Sequence, residues 1–128
     1  MRVLETCVYA DDLAAAERFY VDVLGLKVHA RLAGRHVFFV CGESMFLVFH
    51  PGATASGSGG VPGHGARGPG HAAFAVAEED LDRWAARLAE KRIPIEGEVR
   101  WPGGGRSIYF RDPAGNSLEL ATPRIWGL

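Results

Sequence analysis

Cysteine is scarce: only Cys7 and Cys41 occur among 128 residues. Two thiols are too few for a disulfide scaffold, so the core must hold the fold, and a reduced, cytoplasmic setting is the expectation. No stretch approaches the roughly 20 apolar residues of a membrane-spanning helix. The residues after Met1 carry no apolar leader segment either. Charge of one sign is missing too, since the net charge is −1 and no long acidic or basic run occurs. That argues against a dedicated nucleic-acid binder, and with no apolar span no membrane partner is expected. Apolar residues at 48% and charged residues at 23% argue against wholesale disorder.

Glycine is what the chain has in excess, with 17 residues, many of them between 52 and 70. Residues 51–70, PGATASGSGGVPGHGARGPG, contain little that can pack and read as a linker. It separates two halves, 1–50 and 71–128, of one domain. In the first, VLETCVYA reads as a strand and Asp11-Asp12 as a helix N-cap. Leu13, Ala16, Phe19, Tyr20, Val23 and Leu24 recur at helical spacing, and Gly25 stops the helix. Three short β-like runs follow, near 26–32, 36–40 and 45–50. The second half repeats the order. A strand spans 71–76, a helix 78–90, and extended runs cover 93–99, 107–111 and 117–121, with Asp112-Pro113-Ala114-Gly115-Asn116 as a tight turn. Each half therefore reads β-α-β-β-β, and the repeat defines the architecture. Aligning Phe39 with Phe110 and counting nine residues on sets Val48 opposite Glu119; aligning the first strands sets Glu5 opposite His71.

Glu5, His71 and Glu119 are polar residues inside mostly apolar strands. Singly, each reads as an ordinary strand-end residue on a wet face. Together they are more informative, because three of four repeat-equivalent positions carry groups that bind divalent metals. Ala73 and Ala75 share the strand face of His71 and leave room for a ligand, or mark close packing.

FYVDVLG at 19–25, Gly70-His71-Ala72-Ala73-Phe74 and DPAGNSLEL at 112–120 resemble, in register, three motifs of the glyoxalase/bleomycin-resistance/dioxygenase family, the vicinal oxygen chelate superfamily. The resemblance covers residues 2–122. It implies an α+β fold in which two β-α-β-β-β modules form a half-open, cupped mixed sheet with helices outside. It also implies one divalent transition metal (Ni, Zn, Co, Mn or Fe) held by Glu5, His71 and Glu119. Val48 leaves empty the position that carries a fourth ligand in glyoxalase I. One imidazole and two carboxylates with open positions suit a catalytic ion rather than a closed structural zinc site.

Tyr109 and Glu119 are the expected catalytic residues. Tyr109, His50 and Arg106 are expected substrate contacts. Each has a plainer alternative: a core tyrosine, a solvated strand-end histidine and an exposed loop arginine. His64 reaches a ligand only if its loop folds over the site, and Cys7 reads as a packed small hydrophobe. Two functions follow from the resemblance. The favoured one is a metal-dependent lyase, isomerase or oxygenase acting on a small molecule with vicinal oxygens. The alternative is a metal-free protein that sequesters an antibiotic or metabolite. The resemblance further implies a homodimer.

Overall fold

Asp12 opens the first helix by accepting a hydrogen bond from the Ala15 amide at 2.9 Å. In the computed structural model, which describes all 128 residues, the chain divides into two units, Met1–Gly70 and His71–Leu128. The first contains β1 (Glu5–Tyr9), α1 (Leu13–Asp22), β2 (Lys27–Leu32), β3 (His36–Cys41), β4 (Ser44–Phe49) and a short α2 (Pro51–Thr54). The second contains β5 (His71–Ala75), α3 (Leu81–Glu90), β6 (Gly97–Arg100), β7 (Arg106–Arg111) and β8 (Ser117–Ala121). Single 3-10 turns precede α3 and follow β8. No helix is long and apolar enough to cross a membrane.

Each unit is an open, mixed four-stranded sheet, ordered β1-β4-β3-β2 and β5-β8-β7-β6. The first and last strands of each unit pair in parallel, and the other pairs are antiparallel. The α+β fold of two β-α-β-β-β modules is thus as the sequence implies.

Side chains alternate across each sheet, so each has a helix face and an open face. In the first unit Tyr20 of α1 packs on Phe39 and Phe46, with ring centroids 5.4 and 4.9 Å apart. Val8, Val37 and Val48 share that buried face. In the second unit Leu81 and Leu88 of α3 are fully buried, as are Ile108, Phe110, Leu118 and Leu120 of the sheet. The open faces carry Glu5, Cys7, Tyr9 and Leu47 in one unit and His71, Glu119 and Tyr109 in the other.

The strand registers correct the sequence alignment by one residue. Phe39 pairs with Phe46, seven residues on, whereas Phe110 pairs with Leu118, eight on. The cause is the hairpin: six residues, 40–45, join Phe39 to its partner, while seven, 111–117, join Phe110 to its own. Glu119 pairs with Ala73 and Tyr109; the matching place in the first unit, paired with Cys7 and Phe38, belongs to Leu47. Val48 points instead into the core under α1 and is fully buried.

The longer turn is built by Asp112. Its Oδ1 accepts from the amides of Ala114 and Asn116, at 3.0 and 2.8 Å, and its Oδ2 accepts from Asn116 Nδ2 at 2.8 Å. Gly115 supplies the positive φ of +85° that the turn requires.

Residues 51–65 are not the featureless stretch their composition suggests. His50 caps α2, the Ser58–Val61 bridge closes a small loop, and the His64 amide returns to the Thr54 carbonyl at 3.0 Å. Glycine makes this possible because backbone packs on backbone. A Cβ at Gly63 would fall on the Ala55 carbonyl oxygen, and one at Gly65 would stand 2.7 Å from the Pro51 oxygen.

Candidate functional site

The parallel pairing of β5 with β8 sets His71 beside Ser117 and Ala73 beside Glu119. His71 Nδ1 lies 3.1 Å from the Ser117 carbonyl oxygen. A carbonyl only accepts, so Nδ1 carries a hydrogen, and in the neutral ring Nε2 presents its lone pair. That lone pair faces Glu119 Oε2 at 3.4 Å. Two acceptors held this close need positive charge between them, a proton or a metal ion. The spacing fits an ion: ligand bonds of about 2.0–2.2 Å at a tetrahedral angle separate the ligand atoms by about 3.4 Å. The Nδ1 bond is also the outer contact that fixes the tautomer of a metal-ligating histidine.

The other carboxylate oxygen is already engaged. Tyr109, opposite Glu119 on β7, donates its hydroxyl hydrogen to Oε1 at 2.9 Å. Glu119 is 5% exposed, so few water molecules compete for it. Burial, with the hydrogen bond and charge of Glu119, pushes the Tyr109 phenol above its usual pKa, and the nearby Ser107 hydroxyl offsets part of that rise. Tyr109 therefore stays a hydrogen-bond donor through the neutral range.

Among the residues singled out by sequence, His71, Glu119 and Tyr109 meet on one sheet face of the second unit. Glu5 is the first residue of β1 in the other unit, exposed, on the face that carries Cys7 and Tyr9. Neither unit by itself assembles three His, Cys, Asp or Glu side chains. His50 has a local role, its Nδ1 accepting from the Ala53 amide at 3.2 Å and its Nε2 3.8 Å from the Asp11 carboxylate.

Arg106 departs from the expectation of a loop residue free to meet an anion. It is the first residue of β7, on the helix face with Ile108 and Phe110, so it points away from Tyr109. Its guanidinium is paired with Asp82 at 3.0 Å and lies 3.9 Å from Glu98.

His64 is folded onto the open face of the first unit, 2.8 Å from the Tyr9 hydroxyl and edge-on to Phe49 at 4.6 Å. Ser107 is a site neighbour that the sequence reading passed over. It is buried two residues from Tyr109 on the same strand face, and that spacing was the available signal.

Known proteins match this chain along nearly its whole length. A lactoylglutathione lyase from Agrobacterium tumefaciens superposes with a TM-score of 0.95 at 44% identity, covering 99% of this chain and 97% of that one. The glutathione transferase FosA of Serratia marcescens is 32% identical over 109 residues, 85% of this chain and 72% of its own. The metallothiol transferase FosB of Staphylococcus saprophyticus is 27% identical over 113 residues, 87% of this chain and 70% of its own. The family model described as the Glyoxalase/Bleomycin resistance protein/Dioxygenase superfamily matches residues 2–120. With its paired β-α-β-β-β modules, the chain belongs to the glyoxalase/bleomycin resistance/dioxygenase superfamily.

Proposed function

We propose that this protein is a glyoxalase-like, metal-dependent enzyme acting on a small molecule with vicinal oxygens. The observation that carries the reading is the His71–Glu119 pair, two lone-pair donors oriented at ligand spacing by Ser117 and Tyr109. Glu5 is the third proposed ligand, to one divalent transition metal. When bound, such an ion supplies Lewis acidity that stabilises negative charge developing on a chelated substrate as an enolate or oxyanion. The residues do the rest. His71 offers Nε2 in a fixed tautomer, and Glu119 offers Oε2 while Tyr109 restrains Oε1. Tyr109, held protonated, has one hydroxyl hydrogen, and donating it to a substrate oxygen means releasing Glu119 Oε1.

Metal analysis of protein purified without chelator, with calorimetric titration of Zn²⁺, Co²⁺ and Ni²⁺, tests the proposal. Stoichiometric binding that His71→Ala abolishes is the expected result. Affinity unchanged in His71→Ala overturns the ligand set, and absence of binding in the wild type favours metal-free sequestration of a small molecule.

The proposed ligand set takes Glu5 from the first unit, and a homodimer that shares units is the assembly proposed here. Light scattering should give twice the 13.8 kDa chain mass. Mixing Glu5→Ala chains with His71→Ala chains should restore one intact site per mixed dimer if sites are shared, and none if each site lies within one chain.

A further inference from the structure

We propose that Trp101 is a specificity-determining residue: its indole forms a wall on which a flat, uncharged arm of the substrate stacks beside the His71–Glu119 pair. Trp101 directly follows Arg100, the last residue of β6, and alternation puts it on the sheet face of Gly97 and Val99. That is the open face, because Gly97 pairs with Tyr109 and Val99 with Ser107. The indole crosses to β7, its Nε1–H donating to Ser107 Oγ at 2.9 Å. Ser107 and Tyr109 are two residues apart, one step of about 7 Å along the strand face. Tyr109 stands directly opposite Glu119. The ring is therefore anchored one step from the carboxylate proposed as a metal ligand.

The ring is held, and what it offers is apolar. The Trp101 amide donates to the Gly105 carbonyl at 3.1 Å, and the Gly104 amide donates to the Trp101 carbonyl at 2.9 Å. With the indole N–H on Ser107, all three polar groups of the residue are engaged. Trp101 is nonetheless 39% exposed, against 1% for Ser107. Its loop is seated on the chain beyond β8. Gly105 has φ of +87°, and a Cβ there would meet Thr122 Oγ1 at 2.6 Å. A ring already fixed adds no ordering cost when a ligand stacks on it.

An indole face takes another flat π system by offset stacking, or a cation. Arg124 decides between them. A Cβ at Gly104 would stand 2.5 Å from its Nε, so a guanidinium already lies against this loop. A cationic arm would meet a like charge there, and a flat neutral arm does not. On the far side of Glu119 the face is low, since Ala73 and Ala75 of β5 stand exposed on it. The substrate class is then a compound that carries its vicinal oxygens next to an aryl or conjugated group. The proposal rests on the metal reading, because it takes His71 and Glu119 as the place where those oxygens bind.

The probes are acetohydroxamate, benzohydroxamate and cyclohexanecarbohydroxamate. Each presents two vicinal oxygens, beside a methyl, a flat phenyl or a puckered cyclohexyl group. Their affinities for zinc-loaded full-length protein are read by calorimetry. Benzohydroxamate is expected to bind about tenfold tighter than acetohydroxamate, the gain an aromatic pair gives, and the cyclohexyl probe to gain less. Trp101→Ala should remove most of the phenyl gain and leave acetohydroxamate binding unchanged. Trp101→Phe keeps a ring and should retain part of it. Benzohydroxamate should also quench the Trp101 fluorescence, identified among the three tryptophans as the component lost in Trp101→Phe. No phenyl gain in the wild type, a gain that Trp101→Ala keeps, or an equal gain for the cyclohexyl probe overturns the wall while the metal reading stands. Zinc-loaded protein that binds none of the three probes overturns it too. If the wild type binds no zinc, the metal reading falls and fluorescence decides. Quenching confined to the Trp101 component supports the wall, and absence of that quenching overturns it.

Discussion

Leu47 occupies in the first unit the place that Glu119 occupies in the second, each on the open sheet face beside the first strand and opposite β3 or β7. The place in the first unit that matches Glu119 is therefore apolar, and its neighbour Val48 belongs to the core.

The two positions should respond differently to the same substitution. Leu47→Glu is expected to fold, to lose some stability without metal, and to be stabilised by added Zn²⁺ more than the wild type. Val48→Glu buries a carboxyl under α1 with no partner, which costs several kcal/mol. It should be largely unfolded whatever metal is present. Thermal melts with and without zinc distinguish them, and equal behaviour would show that the two faces are misassigned.

Tyr109 should make the protein alkali-sensitive. Burial first, then Glu119, raises its pKa above the ordinary 10.0. A raised pKa in the folded state gives stability that is fully present below about 10 and is lost as pH rises through the folded value. Tyr9 shifts the same way, through burial and its contact with Cys7. Tyr109→Phe should flatten the fall in melting temperature above pH 10, and the phenolate absorbance titration should lose its later phase. An unchanged alkaline slope in both Tyr109→Phe and Tyr9→Phe would contradict this.

His36 predicts the opposite limb. Burial, and then the charge of Arg35, lowers its pKa below 6.5, and its Nδ1 has no hydrogen-bond partner. The ring stacks flat on Phe38 with centroids 4.0 Å apart. A lowered histidine pKa means that the unfolded chain takes up the proton more readily. Stability is therefore full above about 6.5 and falls as pH drops toward the folded value. His36→Phe should remove part of the acid loss between pH 7 and 5, measured by thermal melts. An identical acid slope would rule out His36 as its source.

Gly63 should tolerate no side chain. Its Cβ position coincides with the Ala55 carbonyl, whereas a Cβ at Gly103 meets nothing within 4 Å. Gly63→Ala should cost about 1–3 kcal/mol, the range for forced overpacking. It should also loosen the His64–Tyr9 contact and expose residues 55–66 to protease. Gly103→Ala should be neutral in both assays; equal effects would refute the packing argument.

The elements of this fold were readable where a local rule governs them. Asp12 caps α1 and Asp112 ties its turn, and both are signalled by residue type at fixed spacing. His71, Glu119 and Tyr109 were readable because alternation along a strand assigns their face. Leu47 was hidden because counting along the chain cannot see how many residues a hairpin spends outside its ladder. Arg106 was misread as a loop residue because β7 begins one residue earlier than expected, which brings the strand's alternation to bear on it. The packing of 51–65 was hidden for a different reason. Composition reports side chains, and there the contacts are between backbones.

The His71–Glu119 pair also spans its unit from end to end. His71 is the first residue of that unit and Glu119 lies in its last strand. Any group gripped by both side chains closes a loop of 48 residues, the separation of 71 and 119 in the chain. In this respect it acts as a clasp, comparable to a cross-link in a chain without disulfides. By the chain-entropy relation a permanent tie across such a loop would disfavour the unfolded state by about 4 kcal/mol. The two ends of the clasp come into register only when β5 and β8 have paired, so a growing or truncated chain that lacks β8 has nothing to fasten.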